Sequence, residues 1–174
     1  MRLLKPLTLL AFAAFTLGAI SSLQAAEQAE AVSTEDFVEE ASAKGIAEIE
    51  AAKLALEKAR SEEVKGFAQM MIDDHQRANQ ELKELAKRKQ LEVSDDAELM
   101  SKAKAMVLEM RDQDSFDKAY MNNQVTAHRQ TIELFKRGVS VKDQDIAAFA
   151  KATLPKLEKH LERAERINSE LPED

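Results

Sequence analysis

An all-α fold, an antiparallel bundle of four helices, is what this sequence predicts, on three observations. Only four glycines and three prolines occur in 174 residues, and a third of the chain is charged, a composition that favours helix and leaves few places to turn. Apolar residues recur at spacings of three and four over four stretches, each of about 23 to 28 residues, and nothing alternates as a strand would. The links between the first and second stretches, and between the third and fourth, are short. Such links make antiparallel neighbours of the helices they join.

The first helix is expected from about residue 35 to 60. Ser33-x-x-Asp36 caps its start, and its stripe is Val38, Ala41, Gly45, Glu48, Ala52, Leu56 and Ala59. Ser61 restarts the chain as an N-cap, and a second helix to about residue 89 carries Val64, Phe67, Met71, His75, Ala78, Leu82 and Leu85. From 91 to 114 the pattern weakens. An extra short helix over roughly 96 to 110, begun by Ser94-Asp95-Asp96 and broken by Arg111 to Asp114, reads as part of the connection. The third helix, Ser115 to about Arg137, places Met121, Val125, His128, Ile132 and Phe135 on one face, with Gly138 as its C′ residue. The fourth starts near Asp143 and presents Ile146, Ala150, Thr153, Leu157, His160, Ala164 and Ile167. Pro155 inside it is expected to kink it and free the carbonyl of Lys151. The connection between the second and third helices is long enough for a crossover along the bundle, as in ferritin-like topology, or for a side helix packed across one end.

Ahead of the bundle (residues 35–170), residues 1–26 read as a signal peptide: Arg2 and Lys5, an apolar run from Leu7 to Ile20, then small residues. That run is short for a membrane span. Cleavage after Ala25 or Ala26 would release a periplasmic protein with no stable membrane insertion; an uncleaved signal would instead anchor it in the inner membrane. Residues 27–34 read as a disordered acidic lead. With no cysteine there is neither a lipoprotein anchor nor a disulfide. Losing two positive and no negative charges with the signal takes the net charge from -7 to -9. A phosphate backbone would be repelled, so nucleic acid is excluded as a partner.

The three histidines all lie on apolar stripes, each on a different helix: His75, His128 and His160. Counted from the first turn, Glu48 and His75 share a level, and a crossover brings His128 to it. Counting from the second turn pairs His128 with Thr153 or Leu154 and leaves His160 displaced by roughly 10 Å. The candidate metal ligands are therefore Glu48, His75 and His128, with His160 and Asp74 secondary. Imidazole and carboxylate groups on facing helices are how bundles hold a divalent ion such as iron, manganese, copper or zinc. The other reading is a set of buried polar residues that fix helix register, with Asn79 and Gln124 as partners. Asp73 and Asp74 read as a solvated shoulder. Tyr120 reads as a packing residue with its hydroxyl at the edge.

A dinuclear carboxylate site needs a glutamate three residues before each of two histidines, but Ile72, Val125 and Leu157 stand there. No Gly-x-Ser-x-Gly turn, cysteine nucleophile or phosphate-cradling loop is present, so no catalytic residue is assigned. Met70, Ile72 and Leu134, apolar and off the main stripes, are candidates for a homodimer face.

The segments FVEEASAKGIAEIEAAKLALEKARSEEVKGFAQMMIDDHQRANQELKELA, FDKAYMNNQVTAHRQTIELFKRG and FAKATLPKLEKHLERAERI resemble an exported bacterial family known as domain of unknown function 4142. The resemblance runs over about residues 36 to 167. It rests on Phe67, Asp74-His75, Phe116-Asp117, Tyr120-Met121, His128, Leu154-Pro155 and His160-Leu161. It implies a ferritin-like four-helix fold and an envelope location, many members being labelled outer-membrane proteins, and brings no established activity. Where the family commonly has two small residues this chain has Lys44-Gly45, which implies a slightly wider spacing of the first helix. Two functions follow as expectations: a non-catalytic binding or stress-protective module for an envelope partner, and a ferritin-like metal-binding or redox protein.

Overall fold

The computed structural model describes residues 32–91, 99–100 and 116–172. The signal peptide, most of the acidic lead and most of the expected short helix fall outside them. The helices are α1 (Thr34–Lys58), α2 (Glu62–Lys89), α3 (Phe116–Gly138) and α4 (Gln144–Glu170), and no strand occurs among the described residues. Each N-cap does what its side chain allows. Ser33 Oγ accepts from the amide of Asp36, Ser61 Oγ from Val64, and Asp143 Oδ1 from Asp145 and Ile146. α2 ends on Gln90 in the left-handed region, φ 55°. Gly138 is not such a cap, because no described glycine has positive φ. Its role is steric: a Cβ there would lie 2.3 Å from the ring of Phe37. α4 runs through Pro155 uninterrupted.

α1 packs on α2 and α3 on α4, and the two pairs meet through α1 with α3 and α2 with α4. The α1–α3 contact is antiparallel. Phe37 meets Phe135 edge-on at 5.1 Å near one end, and the Asp117 carboxylate accepts from the amides of Arg60 and Ser61 at 2.8–3.2 Å near the other. α2 and α4 are antiparallel too, joined by Lys89 to Asp143 at one end and Glu63 to Arg166 at the other. Hence α2 and α3 run in the same direction, and α3 starts at the end of the bundle opposite to where α2 finishes. That selects the crossover over the side helix.

Two apolar clusters fill the interior. One contains Ala52, Val64, Phe67, Met71, Tyr120, Met121 and Ile167; the other contains Phe37, Val38, Leu82, Phe135, Ile146, Phe149 and Leu157. Ile72 and Leu134 are buried in these clusters and so do not offer a dimer face. Met70 lies against the first cluster, and Arg163 donates to its sulfur. The α1 stripe is wider than expected: Ala51 and Ala55 are buried where Leu56 is only half-buried, because α1 faces both α2 and α3. At Gly45 the Asn79 side chain takes the space of a Cβ, which would lie 2.0 Å from Asn79 Oδ1.

Candidate metal centre

Between the two apolar clusters lies a polar layer of Glu48, His75, Gln124, His128 and His160, none more than 6% exposed. Contrary to the level count from the turn, all three histidines meet in it. Ring centroids are 5.9 Å apart for His75 and His128, 5.6 Å for His75 and His160, and 5.5 Å for His128 and His160. The count failed because it reversed the chain too early. The Phe135–Phe149 and Lys118–Asn168 pairs place residues 156 to 158 at the level of His128, which leaves His160 roughly 3–6 Å away. Both side chains lean toward their own helix N-termini, and on antiparallel helices that closes the gap.

One ring nitrogen from each histidine lies within 4.8 Å of those of the other two. His75 Nε2, His128 Nε2 and His160 Nδ1 are buried and have no hydrogen-bond partner. The opposite nitrogens of two rings are fixed. His128 Nδ1 donates to the carbonyl of Gln124 at 2.9 Å, and His160 Nε2 donates to Asp74 Oδ2 at 3.0 Å. Each bond fixes a tautomer whose other nitrogen keeps its lone pair. Burial pushes the pKa of His75 well below its ordinary value, helped by the two neighbouring rings. Burial also lowers that of His160, with the Asp74 bond opposing. His128 Nε2 and His160 Nδ1 therefore turn lone pairs to the shared centre.

Asp74 is not a solvated shoulder. Its side chain is only 13% exposed and accepts from Lys156 as well as His160, and Arg77 donates to it at 2.5 Å. Burial works against its charge, yet the His160 and Lys156 bonds hold its pKa down to about 2. Asp73 is exposed. The shoulder reading failed at Asp74 because α2 buries two flanks, against α1 and against α4, so a residue beside the stripe is enclosed too. Glu48 accepts from Gln124 Nε2 at 2.7 Å, and its other oxygen is 4.0 Å from His128 Nδ1. It thus stands behind the His128 ring, away from Nε2. Asn79 does not reach the layer; its amide donates to the carbonyl of Ser42.

Tyr120 is fully buried with its hydroxyl unpartnered, not at an edge. Burial raises its pKa well above 10, and the charge of Glu48 adds to that.

Residues 20–167 match the family described as Domain of unknown function (DUF4142). The chain belongs to this family. No curated protein and no solved structure matches it, so what this DUF4142 chain does has to be read from its own side chains. Tetrahedral coordination at metal–nitrogen distances near 2.0–2.1 Å places ligand nitrogens roughly 3.4 Å apart. From separations of at most 4.8 Å, each imidazole would move inward by under about 1 Å, a small χ rotation within its rotamer well. No described helix is long and apolar enough to cross a membrane.

Proposed function

We propose that this DUF4142 protein binds one divalent transition-metal ion inside the bundle, through His75 Nε2, His128 Nε2 and His160 Nδ1. It does so in the cell envelope, after export directed by residues 1–26. The observation that carries the reading is three buried histidines, each with an unpartnered ring nitrogen, that bring one ring nitrogen apiece within 4.8 Å of one another. A core histidine that only sets register satisfies its nitrogens with protein groups, and each buried one left over costs about 1–3 kcal/mol. The bonds from His128 to a carbonyl and from His160 to a carboxylate are those that orient ligating histidines. An all-imidazole donor set suits zinc, copper, nickel or iron better than magnesium or calcium. Asp74 behind His160 and Glu48 behind His128 offset part of the ion's charge from outside the ligand ring. The ion is then what an envelope binding module of this kind would bind.

Elemental analysis of protein purified from the periplasm, with calorimetric zinc titration of the chelated protein, tests this. One equivalent per chain is expected, and His75→Ala, His128→Ala and His160→Ala should each remove it. Absence of metal, with no rise in melting temperature on adding zinc, copper, nickel or iron, would sink the reading. For export, the mature N-terminus sequenced from the periplasmic fraction should begin after Ala25 or Ala26. A full-length chain held in the membrane fraction would favour the uncleaved anchor.

A further inference from the structure

Three imidazoles carried by α2, α3 and α4 form a triangle across the bundle, so a tetrahedral ion would keep one position on the triangle's axis. On one side the layer adjoins the fully buried apolar cluster that holds Ala52, Met71 and Met121. On the other side the packing stops short. A cavity of about 20 Å³ adjoins two of the three rings there, lined by His75 and His160 but not His128, and by the Leu82, Phe135 and Phe149 side chains. A single water needs about 10–15 Å³ on this measure, so the space takes a ligand of a few atoms.

Lys44 and Lys156 also line this space, on α1 and α4. Both keep exposure to solvent, their side chains 17% and 48% exposed; Lys156 is paired with Asp74 at 3.0 Å, whereas Lys44 is 3.8 Å from Glu40 and keeps charge to draw a small anion inward. Three neutral imidazoles bring no charge to a divalent ion in a buried layer, and the carboxylates behind them offset only part of it, so an anion beside the ion lowers the cost. The two carboxylates lining the cavity are committed elsewhere. Glu48 accepts from Gln124, and Asp74 accepts from His160, Lys156 and Arg77.

We infer that the fourth ligand comes from solution: a monoanion of one to three atoms, with hydroxide holding the position when no other is present. The inference rests on the three-histidine reading and makes the centre an exchangeable-ligand site rather than a closed structural one. Cobalt(II)-loaded protein titrated with azide tests it through the visible absorption of the metal. The spectrum should change saturably with azide and cyanate and not with benzoate. Ala78→Val, which adds two methyl groups to the cavity wall, should keep the cobalt band and weaken azide binding at least tenfold. A cobalt band indifferent to azide overturns this inference and leaves the metal reading standing; absence of a cobalt band removes both. A benzoate response matching that of azide overturns the size limit, as does an unweakened azide response in a folded Ala78→Val protein. If that variant does not fold, the anion size series on the unaltered chain decides alone.

Discussion

Removing the carboxylate behind His160 isolates what it does for the centre. In Asp74→Ala the His160 ring loses the acceptor of its Nε2–H, 3.0 Å away, and can adopt the tautomer with the proton on Nδ1, aimed at the ion. Lys156 and Arg77 lose their shared partner as well, but both are largely exposed, with side chains 48% and 72% accessible, so water replaces that loss. The effect should therefore appear in metal affinity more than in folding. Outer-shell partners of ligating histidines are typically worth 10- to 100-fold in affinity, about 1.4–2.8 kcal/mol at 1.4 kcal/mol per decade. Competition against a chromophoric zinc chelator would measure it, with far-ultraviolet circular dichroism as the folding control. Asp74→Asn, which keeps an acceptor oxygen, should recover part of the loss. An Asp74→Ala protein that is folded and binds zinc within twofold of the unaltered chain would refute the reasoning that Asp74 orients His160.

Metal-free protein should lose stability as pH falls below about 6.5. Burial holds the folded-state pKa of His75 below its unfolded value, so the unfolded chain takes up the proton first. Stability is full above pH 6.5 and declines below it by about 1.4 kcal/mol per pH unit for each such histidine; a melting temperature flat from pH 7 to 5 would contradict this. Gly138→Ala should destabilise by about 1–3 kcal/mol, because its Cβ would overlap the buried ring of Phe37. Gly66→Ala meets nothing within 4 Å and should stabilise by about 0.5–1 kcal/mol; denaturant titration reads both. Asp117→Ala strips the acceptor from two amides at the α1–α2 turn. A loss of about 1–3 kcal/mol is expected in the same assay, and none would show that water serves the turn equally well.

What the sequence determined by itself was local or periodic. Helix limits follow from caps such as Ser33, Ser61 and Asp143, whose hydrogen bonds reach only two or three residues ahead. The stripes that carry His75, His128 and His160 follow from the 3.6-residue period, and all three are buried. Tertiary structure decided what depends on pairs distant in the chain. The crossover, the true level of His160, the clamp of Asp117 on residues 56 and 57 positions earlier and the enclosure of Asp74 by α4 all depend on how far each helix slides along its neighbour. A turn sets that offset only to within a few residues, and one helical turn is roughly 5.4 Å, about the difference between a histidine outside a metal centre and one that completes it.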